Sequence, residues 1–226
     1  MINKARSPQR REDALSRERI VEASIALLDS RGESGLTFRA LADALATGAG
    51  AIYWHIDNKR ELLTAASDAV VARTIGALLP GAAPPATVRA LALGMFDAIR
   101  RHPWIGAALT GAPGQLPVVR MVECIGQQIR AMGVPEQRQW STVSALLSYI
   151  LGVAGQNGAN AQLARQQGFD RSGLLDEVAA MWSRLDAAKY PFARSIAGHL
   201  RTHDDRDDFL AGIDLIMAGV ATSAAP

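Results

Sequence analysis

Between Thr37 and Lys59 the sequence TFRALADALATGAGAIYWHIDNK compresses two helical patterns, a turn and the start of a third helix into one short stretch. Phe38, Leu41, Ala42 and Leu45 keep the i, i+3, i+4, i+7 spacing of a single buried helix face, and Thr37 stands where an N-cap belongs. Ala46-Thr47-Gly48-Ala49-Gly50 offers a helix stop and a permissive turn. Ala51-Ile52-Tyr53-Trp54-His55 then opens a very short helix, after which Asp57 or Asn58 caps the next one. This is helix-turn-helix spacing. A second helix with small residues at its start and Tyr53, Trp54 and His55 at its end can enter a DNA major groove by its tip, with the aromatics reaching the flanking phosphates.

Everything around that stretch reads as helix. Arg17 to Arg31 sets Ile20, Ala23, Ser24, Leu27 and Leu28 on one face, and Gly32 to Gly35 ends that helix. From Asn58 a helix without a breaker runs to about Leu79, long enough to leave the small N-terminal unit and connect it to the rest of the chain. Pro80-Gly81-Ala82-Ala83-Pro84-Pro85 is the clearest break in the chain. After it come helical patterns over 87–101, 103–109, 118–132, 136–167, 174–185, 191–200 and 207–222, with loops at Gly111-Ala112-Pro113-Gly114 and around Phe169-Asp170. No stretch alternates as a strand does. The fold class is therefore all-α, organised as a basic arm over 1–14, a three-helix DNA-binding unit over 15–75 and a larger helical unit over 80–226.

Composition narrows the function. A 226-residue chain that is 49% hydrophobic buries a sizeable core, and charged residues, Gly or Pro interrupt every run that could span a membrane. The arm carries Lys4, Arg6, Arg10 and Arg11 without an apolar stretch behind them, so it is no secretion signal and cytoplasmic residence is expected. A single cysteine, Cys124, excludes an internal disulfide, and four scattered histidines give no metal spacing, so neither metal nor cofactor is expected. Neither a Gly-rich phosphate loop nor a G-x-S-x-G elbow is present, which argues against an enzyme. A purely architectural DNA binder is the other rival, and it has no use for a large hydrophobic second unit.

Two segments carry a resemblance to a known family. Gly35-Leu36-Thr37-Phe38-Arg39-Ala40-Leu41-Ala42 and Ile52-Tyr53-Trp54-His55-Ile56, followed by Asn58-Lys59-Arg60-Glu61-Leu62-Leu63, resemble the N-terminal domain of the tetracycline-repressor (TetR) family over roughly Leu15 to Thr74. Phe209 to Gly219 is similar to the last helix of that family. The resemblance implies a transcriptional repressor that binds a palindromic operator as a homodimer and is released by a small-molecule effector. It also implies DNA contacts from Thr37, Arg39, Ala49, Gly50, Ala51, Tyr53, Trp54, His55 and Lys59, with the Arg39 fork suited to guanine. Where the tetracycline repressors carry larger or polar groups, this chain has Gly48-Ala49-Gly50-Ala51, so its operator preference does not follow from theirs.

The larger unit offers two helix stripes and a set of aromatics. Ser148, Gly152, Gly155 and Ala159 form a small-residue stripe, and Phe209, Ile213, Ile216 and Val220 an apolar one. Either stripe fits a dimer interface or the chain's own core. Trp104, Leu109, Trp140, Tyr149 and Trp182 stand where the family keeps its effector cavity, with Ser148, Gln156 and Asn160 available to orient a ligand. Aligned to the metal-binding histidine of the tetracycline repressors, the chain presents Leu109, and His102 lies beside Pro103 where it caps or packs. The expectation is a mainly apolar effector other than magnesium-tetracycline.

Overall fold

The structure, a computed structural model, describes residues 15–224 apart from residues 112, 113, 167 and 169. The basic arm and the middle of the Gly111–Gly114 loop thus lie outside the described residues, as does Phe169. Among the described residues there are eleven α-helices, one 3-10 turn and no strand.

Four helices build the reading head. Helix α1 (Arg17–Gly35) begins at Ser16, whose Oγ accepts the Arg19 N–H at 3.3 Å. Its regular dihedrals end at Gly32, which sits at φ 66°, a conformation glycine adopts without a side-chain penalty. Thr37 caps α2 (Phe38–Ala44) by accepting the Ala40 N–H at 3.1 Å. The turn into α3 (Ala49–Tyr53) takes its positive φ of 50° at Ala46, not at Gly48 or Gly50, and closes with the Thr47 N–H on the Ala42 carbonyl at 3.0 Å. Asn58 Oδ1 then accepts the Glu61 N–H at 2.9 Å and starts α4 (Lys59–Gly76). Ile20, Leu28, Leu36, Leu41, Ile52, Ile56 and Leu62 fill the space between these four helices and are at most 2% exposed. Each such burial contributes about 1.5–3 kcal/mol, enough to fix the angle between α2 and α3.

The remaining helices are α5 (Pro84–Arg101), α6 (Trp104–Thr110), α7 (Leu116–Ala131), α8 (Glu136–Gln166), α9 (Arg171–Ser183), α10 (Pro191–Ile196) and α11 (Asp205–Ala224), with a 3-10 turn at His199–Arg201 before the last. Proline sets two of the boundaries. Helix α4 ends at Gly76, ahead of Leu79, which Pro80 keeps out of the helical region, and α5 starts at Pro84, where a first-turn proline loses no hydrogen bond. Asp170 Oδ1 accepts the Gly173 N–H at 2.8 Å and so starts α9 at Arg171, earlier than its apolar pattern suggests. Most buried apolar side chains form one contiguous cluster from Ile20 to Val220, with α4 packed against α1 on one side and against α5, α6 and α7 on the other. Gly212 lets α11 close on α8, because any methyl there would collide with the Tyr149 hydroxyl.

Candidate nucleic-acid interface

Within the reading head, Ile52 is fully buried and anchors α3, which leaves the rest of that short helix turned outward. Gly50 is exposed with open space where a side chain would stand, while Ala49 and Ala51 are half-buried beside it. Tyr53 is 51% exposed, its ring stacked on Phe38 at 4.2 Å and 8°, so α2 sets the direction in which its hydroxyl points. Trp54 is 89% exposed, at the end of the helix. An indole exposed to that degree buries little area in this chain. Arg39 is exposed at the start of α2, and no other described residue engages its guanidinium.

Two of the expected DNA residues hold the head together. The half-buried His55 gives its carbonyl to Arg17 Nη1 at 2.7 Å. Lys59 donates from Nζ to the Glu33 carbonyl at 2.6 Å, tying the start of α4 to the Gly32 turn of α1. Its charge is therefore drawn inward along the head, where it ties two helices as well as standing among the expected DNA contacts.

Arg17 and Glu61 were not singled out from the sequence, although they orient the same site. Arg17 Nη1 also meets Glu61 Oε1 at 2.9 Å, and Glu61 Oε2 accepts the Asp57 N–H at 2.8 Å. That N–H and then the Arg17 guanidinium hold the Glu61 carboxyl below its ordinary value. The signal was present, since Asn58-Lys59-Arg60-Glu61 has the N-cap-to-glutamate spacing of a capping box.

The effector residues proposed from sequence sit in different surroundings. Trp104 donates its indole Nε1–H to Asp29 Oδ1 at 2.8 Å, so this half-buried ring serves the contact between α6 and α1. His102 caps α5 and places Nδ1 2.7 Å from the same oxygen. Leu109 is core, 2% exposed. Tyr149 stacks on Phe209 at 5.5 Å and donates to the Phe209 carbonyl at 3.2 Å, which assigns it to the α8–α11 joint. Trp140 is 69% exposed near the start of α8, and Ser148, Gln156 and Asn160 are exposed along that helix. Trp182 is half-buried on α9. Periodicity placed these residues on helices correctly but carried no information about which helix each one faces.

The proposed interface stripes divide between core and surface. Phe209, Ile213 and Val220 are at most 6% exposed inside this single chain, with Phe209 also stacked on Phe96 at 4.9 Å. They are core residues of this chain. Ile216 is half-buried and packs on the same core. The open side of α11 is the neighbouring one, with Ala211, Leu215 and Ala218 exposed. On α8, Gly152 and Ala159 are exposed with Ala145 and Ser148, whereas Gly155 is half-buried at a close approach to Gly106 of α6. Among the described residues no cluster of His, Cys, Asp and Glu could hold a metal ion, and no helix is long and apolar enough to cross a membrane.

Comparison with known proteins adds the family context. The signature "Bacterial regulatory proteins, tetR family" matches residues 20–66, and "Tetracyclin repressor-like, C-terminal domain" matches residues 85–224. The HTH-type transcriptional repressor DrrR1 of Streptomyces coeruleorubidus is 28% identical over 214 residues, covering 91% of this chain and 77% of its own length. The class D tetracycline repressor protein of Escherichia coli is 28% identical over 213 residues, 91% of this chain and 88% of its own. A solved structure, the transcriptional regulator SCO7222 from Streptomyces coelicolor, described as a TetR, is 49% identical with a TM-score of 0.85, covering 94% of this chain and 100% of that one.

Proposed function

The chain belongs to the tetR family of bacterial regulatory proteins, and from that membership we propose that it represses transcription by binding a palindromic operator as a homodimer, with a small molecule releasing it. The observation that carries the reading is the outward end of the reading head. Arg39, Gly50, Tyr53 and Trp54 stand exposed around a helix whose orientation is held by Ile52, the Phe38–Tyr53 stack and the Arg17–Glu61 clamp. Arg39 is suited to a guanine edge in the major groove, Gly50 permits the backbone to come close, and Tyr53 and Trp54 reach phosphates at the flanks.

One head makes few base contacts, and a twofold copy doubles them with matched half-site spacing. The exposed small and apolar side chains of Ala145, Ser148, Gly152 and Ala159 on α8, with Ala211, Leu215 and Ala218 on α11, support a four-helix contact between two subunits. Helix α4 carries any rearrangement of the larger unit to the head, since it packs against both. The test is selection of binding sites from random duplex DNA, followed by footprinting of the winners. An inverted repeat bound with steep salt dependence is expected. Enrichment of no sequence at all would remove the repressor reading.

A further inference from the structure

A cleft of about 290 Å³ opens where the reading head meets the larger unit. Glu33 and the α4 residues Arg60, Leu63, Thr64 and Ser67 form one wall, and α6 and the start of α7 form the other, through Ala108 and Gln115 among others. The volume lies at the lower edge of the range for small-molecule pockets, roughly 300 Å³ upward. The residues proposed for an apolar cavity sit in different surroundings, whereas this cleft combines opposite charges with a small apolar surface.

Its polar groups are arranged for a ligand bearing both charges. Neither the Arg60 guanidinium nor the Glu33 carboxylate is engaged by another described residue, and the two form no ion pair with each other. Thr64 donates its hydroxyl to the Gln115 amide oxygen across the cleft, which leaves the Gln115 NH2 without a partner among the described residues. Ser67 is satisfied by the Leu63 carbonyl at 2.8 Å and adds no demand of its own. By chemistry a carboxylate suits the Arg60 guanidinium and the Gln115 NH2 as charge-assisted donors, and an ammonium suits the Glu33 carboxylate. Leu63, Ala108 and Pro117 leave room for a short side chain.

We propose that this interdomain cleft is an effector site for a small zwitterion of amino-acid size, held at its carboxylate by Arg60 and Gln115 and at its ammonium by Glu33. The proposal rests on the repressor reading and names the ligand class for it. Occupancy engages the Gln115 NH2 beside the Thr64–Gln115 hydrogen bond, which with the Arg120–Asp68 pair one turn further on links α4 to α7, and so acts where the head joins the larger unit. A ligand that binds the open and closed forms of the joint unequally shifts operator affinity by the same factor.

The experiment is calorimetric titration of the full chain with each standard L-amino acid, alongside Arg60→Ala and Glu33→Gln. Both substituted side chains are exposed, so both variants should melt like the parent. At least one amino acid should bind, each variant should bind it about tenfold more weakly or worse, and the matching carboxylate without its amine should bind more weakly to the parent. Operator affinity, measured on the same samples, should fall about tenfold at saturation. A chain that binds its operator but no amino acid overturns the cleft proposal and leaves the repressor intact. Binding that neither variant weakens places the site elsewhere and overturns it as well. A chain that binds an amino acid through Arg60 but selects no DNA would remove the repressor while keeping the cleft.

Discussion

Asp29 and Trp104 are joined by a hydrogen bond of 2.8 Å from the indole Nε1–H to Oδ1, which links α1 of the reading head to the first residue of α6. His102 Nδ1 meets the same oxygen at 2.7 Å, so a single carboxylate oxygen serves two donors from the α5–α6 corner. Asp29→Ala leaves both donors without their acceptor at a partly buried joint. A loss of about 1–3 kcal/mol is expected in urea unfolding, with Asp29→Asn recovering part of it. An Asp29→Ala chain as stable as the parent would mean that packing alone holds the corner.

Glu61 links acid sensitivity to the reading head. Its folded carboxyl is depressed, chiefly by the Asp57 N–H and then by Arg17, relative to the ordinary value it regains on unfolding. The stabilisation is therefore complete above the ordinary carboxylate range and is lost as pH falls through the folded value. Urea midpoints taken from about pH 6 down to about pH 3 should fall more steeply for the parent than for Glu61→Gln. Parallel curves would take Glu61 out of the acid response.

Leu215 and Ile213 separate the proposed dimer contact from the core. Leu215 is 76% exposed on α11 and Ile213 is fully buried two residues away. Leu215→Asp should give a folded monomer by light scattering and circular dichroism. Ile213→Asp should instead lose the fold, because a charge buried without a partner costs several kcal/mol. A folded Leu215→Asp dimer would place the subunit contact on another face.

Arg39 and Lys59 should behave differently on DNA. Arg39→Ala is expected to cost about 1–3 kcal/mol per half-site on the selected operator and much less on scrambled duplex. Lys59→Met should weaken both duplexes and also lower the melting temperature, since it removes the Nζ–Glu33 tie. Equal losses on the two duplexes for Arg39→Ala would deny it a role in base reading.

How far these features could be read in advance depended on whether their cause was local. The Thr37 cap, the cap at Asp57 or Asn58, the stop within Gly32 to Gly35 and the Pro80 break each arise from a residue acting on its neighbours and were visible as such, and the structure then picks out Asn58 and Gly32. The turn before α3 was less so: its strained residue is Ala46, because the hydrogen bond from Thr47 to Ala42 sets the backbone and the glycines nearby are not asked to. Which side of α11 faces inward was not legible, since Phe209 and Leu215 are both apolar and only the position of Tyr149 and Phe96 decides between them. The same holds for Trp104. Nothing near it in sequence announces that its partner is Asp29, and an indole with a distant acceptor looks like a cavity wall until the helices are packed.

Helix α4 spans 18 residues without interruption, which makes it a lever of about 27 Å. A rigid tilt of about 5° about one end sweeps the other through roughly 2 Å, and in the proposed homodimer a twofold axis would double this to between about 4 and 5 Å between the two heads. Successive major-groove faces on one side of B-DNA are about 34 Å apart, so in that dimer a change of this size would pull the two α3 helices out of step with the grooves. A displacement too small to disturb the core of either proposed subunit would thus be large on the scale of a two-site operator.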